Sequence, residues 1–246
     1  MKIEVMVFCY GYEKRLNWML SSIKDCRAVS KYDIQVRVST FDREDSRLQL
    51  TSQLVGDVFG EFVRVTGFDT QFNTRGSQRN WQVQNLDADT DCVLFADADH
   101  VYDPLFFDAL IEAALEVEKI SDNESNMYTV CRTSTDDIDK MDELISRFVY
   151  PSYIPNTIKM YTTDMETRIT TAPGAGNTQF VFTKELKDEI YVNANQNRDR
   201  NFFRSITYKS DRTFRSKFDK VVKLEFPQKQ YHLQHHRYEF DKLVQQ

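Results

Sequence analysis

Residues 94–104 read LFADADHVYDP. A hydrophobic run passes straight into Asp97 and Asp99, one residue apart, then into His100, Asp103 and Pro104. A strand that ends by gathering negative charge needs a reason, because carboxylates are seldom buried unless paired. Working backwards, Cys92–Ala96 is apolar and of strand length. Working forwards, YDPLFFDALIEAALEVEKI (102–120) carries a helical period, with Asp103 suited to its N-cap and Pro104 to its first turn. The stretch therefore reads as strand, acidic junction, helix.

The same alternation fills the chain before it. IEVMVFCY (3–10) is a continuous apolar run, and Leu16, Met19, Leu20 and Ile23 then mark one face of a helix. DIQVRVSTF (33–41) is a second strand, RLQLTSQLVGDVF (47–59) a helix and EFVRVTGF (61–68) a third strand. SQRNWQVQNLD (77–87) reads as a helix and DCVLFADAD (91–99) as the fourth strand. Strands alternating with helices predict βαβ units and a mainly parallel sheet covered on both faces. NMYTVCRTS (126–134) and DDIDKMDELISRFV (136–149) follow as a strand and an amphipathic helix, and from about Tyr150 the pattern turns irregular. The 246 residues are expected to form one domain, with residues 1–120 as a nucleotide-type half and 121–246 completing the site.

Composition narrows the classes. Hydrophobic residues make up 41% and charged residues 28%, which is ordinary for a globular protein, and 7 Gly and 5 Pro leave no material for long linkers. A net charge of −6 argues against a large basic surface. The opening apolar run is too short to span a bilayer and no cleavage site follows it, so a cytoplasmic protein is expected. Cys9, Cys26, Cys92 and Cys131 show no CxxC spacing and read as reduced thiols. Asn123-Glu-Ser125 matches a glycosylation acceptor, which means little without a secretory signal.

In parallel α/β sheets ligands bind outside the carboxyl ends of the strands. Asp97 and Asp99 fall there, and side chains two apart share a face while the chain stays extended, so both carboxylates can reach one ligand or one hard divalent cation. If Asp99 faces that site, strand alternation turns His100 away. An EF-hand starting at Asp97 fails at Val101 and Tyr102. CYGYEKRL after the first strand is no dinucleotide fingerprint, GAGNTQ (174–179) lacks the third glycine and the early position, and neither a Walker A nor a GxSxG motif occurs. The plain structural alternative, acids that cap a helix, is satisfied by Asp103 alone.

With those residues in view, the sequence resembles the nucleotide-sugar glycosyltransferases of the GT-A fold, most closely glycosyltransferase family 2. The resemblance rests on ADADHVYDP, with the opening VMVFCYGYEKRLNWMLSSI and the pair in RGSQRNWQV in support. It implies a mixed, mainly parallel sheet flanked by helices. It also implies that Asp42 contacts the nucleoside, that Arg75, Arg79 and Asn80 serve the donor, and that Asp97 meets the ribose or the metal through water. Asp99 would bind Mn²⁺ or Mg²⁺ directly, with a late histidine as a further ligand, His232 first and His235 second. In APGAGNTQFVF, Gly176 and Asn177 would face donor sugar and acceptor. Asp199 in QNRDRNFFRSI takes the place of the catalytic base, although Arg198 stands where the family carries Glu, and arginines on both sides lower a carboxylate's pKa.

The implied activity moves a sugar from a nucleoside diphosphate donor, a UDP-sugar foremost, to an acceptor hydroxyl with inversion. If Asp199 is not the base, retention of configuration is the other outcome. Glycans, proteins and hydroxymethylated DNA bases all remain open as acceptors. The basic, aromatic stretch NRDRNFFRSITYKSDRTFRSK (197–217) reads as a solvated helix face, a diphosphate attractor or a nucleic-acid groove. His232, His235 and His236 lack the spacing of an independent zinc site. A nucleotidyltransferase and a non-catalytic nucleotide-sugar-binding protein stand as alternative classes.

Overall fold

The computed structural model describes residues 1–9, 13–41, 57–68, 75–121, 124–130, 133–134, 178–186 and 214–232. The elements run β1 (Lys2–Phe8), α1 (Glu13–Val29), β2 (Asp33–Phe41), β3 (Val63–Phe68), α2 (Arg75–Gln84), β4 (Cys92–Asp97) and β5 (His100–Tyr102). They continue with α3 (Phe106–Glu118), β6 (Asn126–Val130), β7 (Thr133–Ser134), β8 (Thr178–Phe182), β9 (Lys220–Leu224) and β10 (Gln230–His232). The helix expected at 136–149, and most of the one at 47–59, lie outside the described residues; 57–59 are helical.

Seven strands form one sheet in the order β3-β2-β1-β4-β8-β6-β9, and β5-β10-β7 form a small second sheet. β1 to β4 are mutually parallel, β8 runs antiparallel to both β4 and β6, and β9 is parallel to β6. The mixed, mainly parallel architecture follows the sequence reading. Strand order reverses between β1 and β4, which makes their carboxyl ends a topological switch point, where open α/β sheets bind ligands. Phe8 pairs with Asp97, so the two strands finish level there.

Helix α1 buries Leu16, Met19, Leu20, Ile23 and Cys26, the stripe its sequence period demands, in one core with Ile3, Val5 and Val7 of β1. The opposite side of the sheet packs Met6, Val93 and Phe95 with Val83 of α2 and with Phe214 and Phe218. Both faces are thus covered, which is why β1 and β4 are apolar almost without interruption. Cys9, Cys26 and Cys92 are buried, and burial pushes the thiols of Cys26 and Cys92 well above their ordinary range, away from thiolate chemistry. Among the described residues no helix is long and apolar enough to cross a membrane.

One position interrupts the apolar run. Glu4 is buried in β1 and accepts hydrogen bonds from Arg37 Nε (3.0 Å), the Asp87 amide (3.1 Å) and Thr90 Oγ1 (2.7 Å). Arg37 also donates to the Asn85 carbonyl (2.6 Å), and Asp87 pairs with Lys2 (2.9 Å) and Arg64 (2.9 Å). The hydrogen bond from Lys2, with help from Arg64, holds the Asp87 carboxyl below the usual carboxylate range. These charges clamp the amino end of β1, the middle of β2 and the start of β3 to the turn that leads into β4.

Removing one member of a buried charge network leaves the others uncompensated, so Glu4→Ala should cost about 3–5 kcal/mol in urea unfolding. Asp89→Ala, at an exposed ion pair with Lys2, should leave the unfolding midpoint close to wild type. Because the folded-state pKa of Asp87 is depressed, its contribution is present above about pH 4 and lost as pH falls through the folded value. Asp87→Asn should therefore flatten the acid limb of the stability–pH curve.

Candidate metal centre

β4 ends at Asp97, Ala98 and Asp99 form a turn, and β5 begins at His100. The chain is thus not extended across 97–99, so strand alternation does not set the relative direction of the two carboxylates. Asp97, partly exposed, has Oδ1 3.8 Å from Nη2 of Arg79. Arg79 is buried on α2, with its guanidinium 5.4 Å from the Phe95 ring centroid. Asp99 is buried and directs Oδ2 to Nε2 of His232 at 3.2 Å.

The turn also overturns the expected orientation of His100. Alternation applies only to continuous strand, and the break at Ala98–Asp99 resets it. β5 pairs antiparallel with β10, and His100 stands directly opposite His232 with ring centroids 5.5 Å apart. Ligand atoms of Asp99, His100 and His232 all lie within 4.8 Å of one another. His100 is buried, and His232 is partly so. The signal for it was in the sequence: the run from Asp91 to Asp103 is longer than an ordinary strand, so a break was required, and a break reassigns every side chain after it.

β10 brings His232 to this place from far along the chain, and several contacts fix it. The Asp103 amide donates to the Lys229 carbonyl at 3.0 Å, and the Lys229 amide returns a bond to Asp103 Oδ2 at 2.7 Å. That is a correction to the helix start: α3 begins at Phe106, Leu105 occupies its N-cap without a side-chain bond, and Asp103 fastens the tail strand instead. Gln230 is fully buried, donates to the Val130 carbonyl (3.0 Å) and accepts from the Thr178 hydroxyl, so β10 is tied to both β6 and β8. Phe226 packs on Phe106 at 5.6 Å, and Ser22 of α1 accepts from the Tyr102 amide at 3.2 Å.

Tyr102, two residues past His100, packs on Phe106 and Phe107. Its hydroxyl has no hydrogen-bond partner among the described residues. Burial, with the Cys26 and Asp99 charges adding to it, drives its pKa far above the usual range, so it stays protonated.

Of the residues singled out by sequence, Arg79 and Asp97 are brought together, and Asp99 and His232 are brought together. Asn80 is buried beside Arg79 on α2. Arg75 opens the same helix. Asp42, Gly176, Asn177, Asp199 and His235 lie outside the described residues.

Solved structures share this arrangement of strands. TarS 1–349 of S. aureus superposes with a TM-score of 0.56 at 18% identity, over 94% of this chain and 60% of that one. The same fragment in complex with UDP-GlcNAc gives 0.55 at 19% identity, over 96% and 59%. A further TarS structure gives 0.53 at 18% identity, over 94% and 36%. This chain has the GT-A fold. It spans about three-fifths of the length of the TarS 1–349 structures. No protein-family model and no curated protein matches the sequence. In GT-A terms, the Asp97–Asp99 turn is the junction after the fourth parallel strand, at the switch point.

The plug residue offers a direct check on how the centre is assembled. Gln230→Ala would strand the Val130 carbonyl and the Thr178 hydroxyl, at a cost of about 1–3 kcal/mol. Amide hydrogen exchange at 230–232 should rise more than in β1, because the lesion loosens β10 before the main sheet.

Proposed function

We propose that the chain is a metal-dependent glycosyltransferase that moves a sugar from a nucleoside diphosphate sugar, a UDP-sugar in the first instance, to an acceptor hydroxyl with inversion. The observation that carries this reading is the convergence of the Asp99 carboxylate and the His232 imidazole at the switch point of a GT-A sheet. The complex of TarS with UDP-GlcNAc, a protein of the same fold, supports the donor class.

A divalent cation fits these residues. Asp99 is a buried carboxylate beside the His232 imidazole, and a mixed oxygen and nitrogen donor set suits Mn²⁺. Asp99 and His232 would hold the ion, with His235 as a further candidate and Asp97 reaching it through water or touching the ribose. When bound, such an ion offsets the charge that develops on the leaving diphosphate. Arg79, whose guanidinium is buried and stacked on Phe95, orients Asp97 and adds positive charge beside it. Asn80 and Arg75 continue the donor side along α2, and Asp42 contacts the nucleoside.

In the transfer itself, the acceptor oxygen attacks the anomeric carbon, and the bond from that carbon to the diphosphate breaks with its electron pair. Asp199 takes the acceptor proton, and Gly176 and Asn177 position sugar and acceptor. The half-and-half division, residues 1–120 for the donor and 121–246 for the acceptor, is supported by the order of the strands: β8, β6 and β9 extend the sheet on the far side of β4. Glycans, proteins and modified DNA bases remain the acceptor classes to be tested.

A screen of nucleoside diphosphate sugars for Mn²⁺-dependent nucleotide release is the direct test. Asp99→Asn should reduce that release by at least about 100-fold, and rates indifferent to the substitution would remove the assignment. Asp199→Asn should slow transfer to an acceptor by about 10²–10⁴-fold while donor binding, followed by calorimetry, stays within about threefold of wild type. Loss of binding as well would make Asp199 structural.

A further inference from the structure

We infer that His100 is a protein ligand to the cation, so that the centre is a one-carboxylate, two-imidazole set (Asp99, His100, His232) selective for Mn²⁺ and its transition-metal neighbours over Mg²⁺. This rests on the metal-dependent reading above and goes beyond it, because that reading asks only for an acid and one late histidine.

Three observations carry the assignment. Directly opposed residues of an antiparallel pair project from the same face, and His100 is opposed to His232. The turn at Ala98–Asp99 then lays the carboxylate beside both rings, with all three ligand atoms within 4.8 Å. Adjacent ligands of an octahedral ion at about 2.1 Å stand about 3.0 Å apart, close to the 3.2 Å between Asp99 Oδ2 and His232 Nε2, and the third ligand, His100, already within 4.8 Å, closes the set by moving at most about 2 Å.

The chemistry of the set decides the metal. Mg²⁺ keeps several waters and prefers oxygen, whereas Asp99 and His100 are both buried and two of the three donors are nitrogen. Two imidazoles and one carboxylate with open positions form a site typical of first-row transition metals. The buried His100 imidazole beside a buried acid would also keep bulk water away from the ion on the protein side.

The test is Mn²⁺ binding to the full chain in the presence of UDP, followed by electron paramagnetic resonance. Pulsed measurement of nitrogen couplings should show two imidazoles in wild type and one in both His100→Ala and His232→Ala. His100→Ala should weaken Mn²⁺ binding at least about tenfold, and a roughly hundredfold excess of Mg²⁺ should leave wild-type Mn²⁺ bound. His100→Asn, which replaces more of the buried volume, serves if the alanine variant unfolds, and the wild-type coupling count is decisive without any variant. One imidazole in wild type, or two that persist when His100 is replaced, overturns the assignment and leaves the metal-dependent reading standing. Failure of Mn²⁺ to bind wild type with UDP present overturns both.

Discussion

A three-residue ladder between β5 and β10 determines whether the centre exists. It pairs His100 with His232, Val101 with Tyr231 and Tyr102 with Gln230, joining segments more than a hundred residues apart. Closing so long a loop carries an entropic cost that a ladder this short does not offset alone. The surrounding contacts supply the rest: the two-way Asp103–Lys229 pair, the Gln230 plug into β6 and β8, and Phe226 on Phe106. Asp99 depends on all of them. Its carboxylate sits buried beside a ring that this ladder, with the pairing of β10 to β7, delivers, and a buried charge without a partner is among the costlier defects in a fold. Docking of the tail strand and formation of the centre are therefore one event.

The two ends of β4 treat the same tripeptide in opposite ways. Asp87-Ala-Asp89 lies before its amino end and Asp97-Ala-Asp99 at its carboxyl end. The first pair is answered by permanent cations, with Lys2 on both acids and Arg64 on Asp87, and it functions as a clamp. The second pair meets Arg79 and, around Asp99, the imidazoles of His100 and His232, which can present lone pairs to an ion instead of competing with it. Position relative to the sheet, not composition, separates a structural acid cluster from a candidate site.

That contrast also explains how far the sequence could be read. The βαβ pattern, the buried stripe of α1 and the carboxyl-end placement of Asp97 were legible because each rests on a local period that the sheet obeys. Glu4 was not, since its partners Arg37, Asp87 and Thr90 are distant in sequence and nothing local marks a buried acid as satisfied. His100 was misread because alternation was carried through the turn at Ala98–Asp99, and the period of two holds only while the chain stays extended. The helix start was displaced because Asp103 had a better partner in Lys229 than in the first turn of α3, and propensity yields to such tertiary bonds.

On the proposed reading, scarcity of glycine constrains how a diphosphate is held. Nucleotide folds often cradle phosphates in glycine-rich backbone turns at a helix N-terminus. This chain has seven glycines in all, one of them in the CYGYEKRL segment after β1 where such a turn would stand. A backbone cradle is therefore a weak option, and the negative charge of the donor has to be met by side chains and by a cation. Arg79, buried against Phe95 and aimed at Asp97, is one such group, and the ion held beside it by Asp99 and the imidazoles would be the other. On that reading the metal centre carries more of the donor binding, which is consistent with the contacts that keep β10 in place.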